Sequence, residues 1–163
     1  MNRLMCLILI AFLFSACQGE PDKKAADEAQ EEKDSVAKPA EKLLVLPWTA
    51  TYNPESGEME LKNNPESDAS KLTIEDMVDA INIKYPQIML SHQKKHNDTL
   101  DVSIENANYL TQQIGTAGAQ AYLAEATFAL TELKGIQAVN FLFKEGDHAV
   151  PKTYSRASFK DFN

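Results

Sequence analysis

The side chains that could bind a metal ion or transfer a proton lie in two short segments of the chain. They are His92, His96, Glu145, Asp147 and His148. The pair Asn97-Asp98 predicts a turn directly after His96, which argues against one helix face that carries both His92 and His96. There is no HExxH motif, and neither cysteine lies near these residues. We therefore expect no metal centre. If a metal ion did bind, its candidate ligands would be His92, His96, His148 and Asp147.

Asp147 and His148 could also form a hydrolytic set with Ser155 or Ser158. Neither serine lies in a nucleophile elbow, and spacing along the sequence does not define a catalytic triad. These residues are typical of exposed loops, so we expect no catalytic residues and no cofactor.

Gly115-Thr116-Ala117-Gly118 is a further motif that could do chemistry, since it precedes a predicted helix. The N–H groups at a helix N-terminus can bind a phosphate or a carboxylate. Gly115, Thr116 and Gly118 are thus candidate anion-binding residues. However, no lysine follows as in a P-loop, and the spacing is not GxGxxG. A turn that starts the helix at Thr116 or Gly118 is the favoured interpretation.

The segment that must position these residues has a clear hydrophobic pattern. Residues 99 to 104 alternate between polar and apolar, which predicts a half-buried strand. Residues 119 to 133 have a helical period with one apolar face. That face consists of Ala119, Tyr122, Leu123, Ala126, Leu130 and Leu133. Gly135 then predicts the end of the helix, and residues 139 to 143 alternate again as a strand.

Weaker patterns predict the rest of the fold. In order, they are a strand over residues 43–51 that Pro47 interrupts, a hairpin loop over 53–57, a strand over 58–62, a helix capped by Thr73 and ended by Pro86, a strand from residue 88 to 92 and a turn over 94–98. The predicted fold class is α/β, or α+β in the broader sense. We expect a small mixed sheet of about four to five strands with two main helices packed on it.

The N-terminus has the pattern of an export signal. Arg3 precedes ten consecutive apolar residues at positions 5 to 14, too few to span a bilayer but typical of a signal peptide. Leu13-Phe14-Ser15-Ala16-Cys17 resembles the bacterial lipobox, where cleavage exposes a cysteine that carries lipid. We predict a signal peptide over residues 1–16 and lipidation of Cys17, with acyl chains such as palmitate. An ordinary secretory signal that ends near Ala16 is the alternative.

The composition after the signal supports this interpretation. Cys6 would be removed with the signal, and lipid would block the thiol of Cys17, which could form no internal disulfide. Residues 17–40 carry seven acidic side chains against four lysines and no aromatic residue, which predicts a disordered acidic tether. Gln18 differs from the Asp of the inner-membrane retention signal, so the outer membrane is favoured over the inner. The net charge of −8 argues against binding to nucleic acid.

Several segments of the folded part match one known domain type. They are the opening strand over 43–52, the helix and strand over 73–93, Asp101-Val102-Ser103-Ile104 with Tyr109-Leu110, the run Leu130-Thr131-Glu132-Leu133-Lys134-Gly135-Ile136, and the strand over 139–143 with Glu145-Gly146-Asp147. Together they resemble the GerMN domain of spore-germination and other bacterial envelope lipoproteins, over residues 41–150. The resemblance implies a compact α/β domain that often serves as a module of envelope assemblies, with no established catalytic residues. The chain departs from it in carrying a single copy and an extension after His148.

The C-terminal segment, residues 151–163, is aromatic and basic. It contains Tyr154, Phe159 and Phe162 together with Lys152, Arg156 and Lys160. Phe128 projects from the predicted helix on the side opposite to its apolar face. This segment either docks there, beside Glu125 and Glu132, or stays free for a partner. The candidate partner-binding residues are Phe128, Tyr154, Phe159 and Phe162.

The sequence thus favours a lipid-anchored protein of the cell envelope. We expect its domain to act as a binding or assembly module for another envelope protein, with the N-terminal lipid as its contact with the membrane, and we do not expect an enzyme. The alternative is a metal-assisted or acid/base hydrolase of an envelope polymer that uses Asp147 and His148.

Overall fold

The computed structural model describes residues 44 to 162. The predicted signal peptide, Cys17, the tether and the first residues of the domain lie outside this range. The strands are β1 (Trp48–Asn53), β2 (Glu58–Asn63), β3 (Leu90–His96), β4 (Thr99–Ile104), β5 (Ala138–Leu142) and β6 (Thr153–Ser155). The α-helices are α1 (Ile74–Lys84) and α2 (Gly115–Leu130). A π-helical turn covers Tyr109–Gln113, and 3-10 turns cover Ala69–Lys71 and Arg156–Phe159.

The strands form two separate sheets. Four of them are ordered β3-β4-β5-β6, with β4 and β5 parallel and the other neighbours antiparallel. β1 and β2 form an antiparallel hairpin of their own. The predicted fold class is therefore confirmed as a mixed α+β domain.

Two strand boundaries differ from the prediction, one at Pro47 and the other at Asn97. The first strand begins at Trp48, directly after Pro47, because proline has no N–H to donate to a ladder. The predicted turn over 94–98 is too long: β3 continues to His96, and only Asn97 and Asp98 lie outside the ladder. A bulge between His92 and Lys94 interrupts the alternation of β3, which hid the strand in the sequence.

Helix α1 begins where the capping signal predicts. The Thr73 hydroxyl accepts a hydrogen bond from the backbone N–H of Asp76, and the Asp76 carboxylate accepts one from the N–H of Thr73. The helix ends at Lys84 because Pro86 disfavours a helical conformation at Tyr85.

Helix α2 is buried on nearly every side, which corrects the prediction of a single apolar face. The predicted face is buried, but Ala124, Glu125 and Thr127 are buried as well. One side of α2 packs against the four-stranded sheet and the other against the β1–β2 hairpin. The helix ends at Leu130, earlier than predicted, and a turn that contains Gly135 leads to β5.

No helix within residues 44–162 is both long enough and apolar enough to cross a bilayer.

Substitution of Leu130, the last residue of α2, tests whether this helix lies at the centre of the core. The Leu130 side chain is fully buried, so Leu130→Ala should lower the free energy of unfolding by about 2–5 kcal/mol through the cavity it leaves. Urea denaturation measures this loss. The control is Ile83→Ala on α1, where the side chain is 70% exposed and we expect a change below about 0.5 kcal/mol. Similar losses at both positions would contradict this packing.

Candidate functional site

A cleft of about 320 Å³ opens between α2, the loop over residues 146–152 and the C-terminal segment. We call it the C-terminal cleft. Its lining residues are Gln120, Leu123, Gly146, Asp147, His148, Ala149, Val150, Lys152, Tyr154, Ser158, Phe159 and Phe162. Its volume lies at the lower end of the range for small-ligand sites.

The floor of the C-terminal cleft is apolar and its rim is polar. Leu123, Tyr154 and Phe159 are buried, and the rings of Tyr154 and Phe159 stack with their centroids 5.5 Å apart. The Lys152 ammonium lies 4.8 Å from the centroid of the Tyr154 ring, a favourable cation–π distance. Asp147 is exposed at the rim. Val150, which is 43% exposed, and the half-buried Phe162 supply the accessible apolar surface next to these charged groups.

The C-terminal segment forms part of the domain core. β6 pairs with β5, and the Tyr154 ring packs edge-on against Phe141 at 5.8 Å. Tyr154 and Phe159 are only 7% and 6% exposed, so intrachain packing takes up the two rings that the sequence offered to a partner. Phe162 is half-buried beside Phe159 and keeps some exposed surface.

Arg156 covers Phe128, the other predicted partner-binding aromatic. Its guanidinium lies 4.9 Å from the Phe128 ring centroid and 5.4 Å from that of Trp48. It donates to the Thr131 hydroxyl at 2.9 Å and pairs with Glu132 at 2.8 Å. Of the two alternatives that the sequence left open for the C-terminal segment, docking on the domain is therefore the one seen on this side of α2.

Glu132 is the acidic partner at this contact. Partial burial alone would raise the pKa of Glu132. The hydrogen bonds from Arg156 and from the Trp48 indole outweigh burial, so the pKa lies below its usual value. Glu125, which the sequence also placed near the basic segment, is instead fully buried and pairs with Lys84.

Two contacts fix His148 in the wall of the cleft. Its backbone N–H donates to the carbonyl of Thr111 in the π-helical turn at 3.0 Å, and its Nδ1 lies 3.2 Å from the Thr116 hydroxyl. At Gly146 the loop passes so close to Thr111 and Gln112 that any side chain there would collide with them. The loop is therefore held on the π-helical turn at both positions.

The three histidines lie beside different partners. The ring of His92 is 3.7 Å from Glu75 and that of His96 is 3.5 Å from Asp101, while His148 contacts Thr116. Within residues 44–162, no group of three or more metal-type ligands comes together.

The candidate hydrolytic set, which we did not expect to be catalytic, is only partly assembled. Asp147, His148 and Ser158 line the same cleft. The Ser158 hydroxyl, however, accepts the backbone N–H of Ser155 at 3.1 Å, in the cap of the last 3-10 turn. The His148 ring contacts Thr116 and not a serine, so the described residues show no hydrogen-bonded nucleophile and base.

Backbone geometry explains the glycines of the candidate anion-binding motif, for which a turn was the favoured interpretation. Gly115 has φ +77°, which glycine adopts easily, and it separates the π-helical turn from α2. A side chain at Gly118 would collide with Ile114. The Thr116 hydroxyl contacts His148. All three residues therefore have a structural role.

Sequence patterns did not indicate the buried polar network around Glu125. Its carboxylate accepts hydrogen bonds from the backbone N–H of Ala50 at 2.9 Å and from the Tyr85 hydroxyl at 3.1 Å. The second oxygen accepts no hydrogen bond from the described residues, and the Lys84 ammonium lies 2.6 Å from it as an ion pair. The available signal was a lone charged residue in an otherwise uncharged helix.

The Glu125 network is closed to ligands. Glu125 is 0% exposed, and its oxygens face protein groups. Burial, followed by the charge of Glu125 and the hydrogen bond to it, raises the pKa of Tyr85. Burial also raises the pKa of Tyr122, whose hydroxyl has no hydrogen-bond partner among the described residues. Both phenols stay neutral at physiological pH, and the network serves packing.

Comparison with known proteins finds no matching family model, no matching curated protein and no matching solved structure.

A double-mutant cycle tests the strength of the Glu125 pair. Lys84→Met, Glu125→Met and the double variant should give a coupling of about 1–2 kcal/mol, since one partner is fully buried and the other partly solvated. Urea denaturation of the four proteins measures it. The control is the exposed pair Lys62–Glu60, whose coupling should be smaller because solvent screens it. A coupling no larger than that of the control would contradict a central role for Glu125.

Proposed function

We propose that this chain is a lipid-anchored protein of the cell envelope whose α+β domain is a binding or assembly module. The observation that carries the proposal is the C-terminal cleft. It has accessible apolar surface at Val150 and Phe162 beside a polar rim, and contacts to the π-helical turn fix its wall. Such a site is suited to recognition.

The sequence supports the anchoring part of this proposal. A short apolar segment, Cys17 after small residues and an acidic tether are together typical of an exported lipoprotein. The resemblance to the GerMN domain points in the same direction, since members of that family are often modules of envelope assemblies. We propose the outer membrane as the site of anchoring, through lipid at Cys17.

One observation favours a second function, a hydrolase of an envelope polymer. Asp147, His148 and Ser158 all line the C-terminal cleft. A purified protein that cleaves peptidoglycan fragments, and loses this activity in His148→Ala, would support the hydrolase. A binding module shows no such activity.

Lipid anchoring is tested by substitution of Cys17. Cys17→Ala should leave unprocessed precursor in the cell or release the domain from the membrane, because the acyl chains provide the anchor. Detergent phase partitioning and the apparent mass measure the result. Wild-type partitioning at the mature mass would place the anchor elsewhere.

Recognition through the C-terminal cleft is tested by filling it. Gln120 is exposed on α2 and lines the cleft, so Gln120→Trp should block capture of envelope components from solubilised membranes by the full chain. Gln137→Trp is the matched control, because Gln137 is exposed and does not line the cleft. Quantitative mass spectrometry of the captured material compares the three proteins. Equal capture by both variants would show that recognition does not use this cleft.

A further inference from the structure

We propose that the ligand of the C-terminal cleft is the carboxyl end of a peptide with an apolar last side chain. This inference rests on the proposed role of the cleft as a recognition site. It names the chemistry that the cleft recognises.

Several side chains at the rim can donate hydrogen bonds. Lys152 supplies an ammonium group, which lies 4.8 Å from the centroid of the Tyr154 ring. Nδ1 of His148 lies 3.2 Å from the Thr116 hydroxyl, and Nε2 can donate to a ligand in the tautomer whose Nδ1 accepts from that hydroxyl. Gln120 is exposed and adds an amide donor. An ammonium with neighbouring N–H donors suits a carboxylate, since hydrogen bonds between charged groups are the stronger ones.

The two formal charges at the rim have opposite sign. Among the described residues that line the cleft, Lys152 is the one lysine or arginine and Asp147 is the one acidic residue. Lys152 therefore attracts a carboxylate through direct contact and not through a net positive charge of the rim.

The accessible apolar surface of the cleft accounts for the apolar part of the ligand. Val150 is 43% exposed and Phe162 is half-buried, so these two side chains offer the accessible apolar surface of the cleft, whereas Leu123, Tyr154 and Phe159 are buried within the domain. A volume of about 320 Å³ suits a small group, such as one or two residues at the end of a chain. A free inorganic anion would leave this surface uncovered.

Asp147 favours a peptide over other amphipathic carboxylates. Its exposed carboxylate is an acceptor at the same rim. A peptide offers backbone N–H donors next to its terminal carboxylate, whereas a fatty acid offers none. The rim therefore offers Lys152 to the terminal carboxylate and Asp147 to the backbone N–H of the last residue.

The wall of the cleft is already in position. The His148 N–H bonds to Thr111, and Gly146 packs tightly on the π-helical turn. A preformed site orders few of its own groups when it binds, so a short peptide can bind without a large entropic cost.

The test uses acetyl-Ala-Leu as the probe and the full-length chain purified in detergent. Isothermal titration calorimetry should show binding of the free acid, and acetyl-Ala-Leu amide should bind at least about tenfold more weakly, through the loss of a charge-assisted hydrogen bond. Acetyl-Ala-Asp should also bind more weakly, because the accessible surface at Val150 and Phe162 is apolar. Acetyl-Ala-D-Ala distinguishes the sources: tighter binding of this probe assigns the carboxylate to a wall peptide, and tighter binding of acetyl-Ala-Leu assigns it to a protein terminus.

Two lysine variants distinguish a specific contact at the cleft from a general effect of positive charge on binding. Lys152→Gln should weaken binding of acetyl-Ala-Leu about five- to tenfold, as expected for one charged contact. Lys160→Gln should bind as the wild type does, because Lys160 is exposed on the same segment but does not line the cleft. Thermal melts of both variants establish that they are folded.

The outcomes separate this inference from the proposed function. Equal affinity for acid and amide, no binding of the acid, or equal effects of the two lysine variants would overturn the peptide-terminus ligand. If Gln120→Trp still abolishes capture from membranes in that case, the cleft recognises a ligand of another class. If Gln120→Trp has no effect and the peptide does not bind, both proposals fail.

Discussion

The carboxylate of Glu125 is the constraint on which the packing of this domain depends. It lies on α2 with no exposed surface, and its partners come from the first strand and from the end of α1. A buried charge without partners costs several kcal/mol. All three partners must therefore be in place together, which fixes the hairpin and α1 relative to α2. Ala50 gives its N–H to this carboxylate instead of to a further strand, so the edge of β1 ends against the helix.

A second polar contact secures the same side of α2 near its C-terminal end. The Trp48 indole and the Arg156 guanidinium both bond to Glu132, and the Phe128 ring packs against both residues. These contacts bring the start of the first strand together with the last turn of the domain. The segment after β5 thus closes the core on one side and forms a wall of the C-terminal cleft on the other. The rings of Tyr154 and Phe159 belong both to this packing and to the lining of the cleft.

Local signals in the sequence predicted much of this fold. The capping box at Thr73 and the strand period of β4 depend on neighbouring residues, and both elements are as predicted, although Asp101 on the polar side of β4 is buried. The second buried side of α2 was not predictable, because Glu125 and Thr127 are polar and their covering comes from residues far along the chain. The bulge at His92 similarly hid the length of β3. His148 was identified as a candidate, but its neighbours Thr111 and Thr116 follow from the tertiary fold.

The contacts that hold Trp48 have a mechanical consequence. Within the described chain, Val45 and Leu46 contact the domain before Trp48: the Ser67 hydroxyl donates to the Val45 carbonyl at 2.6 Å, and Leu46 is buried. A pull from the N-terminal side would load these contacts first and then Trp48, which pairs with Asn63 at the open end of the hairpin. Trp48 is also bonded to Glu132, which Arg156 holds in turn. Tension that reaches Trp48 would therefore be shared between the β1–β2 ladder, α2 and the C-terminal turn.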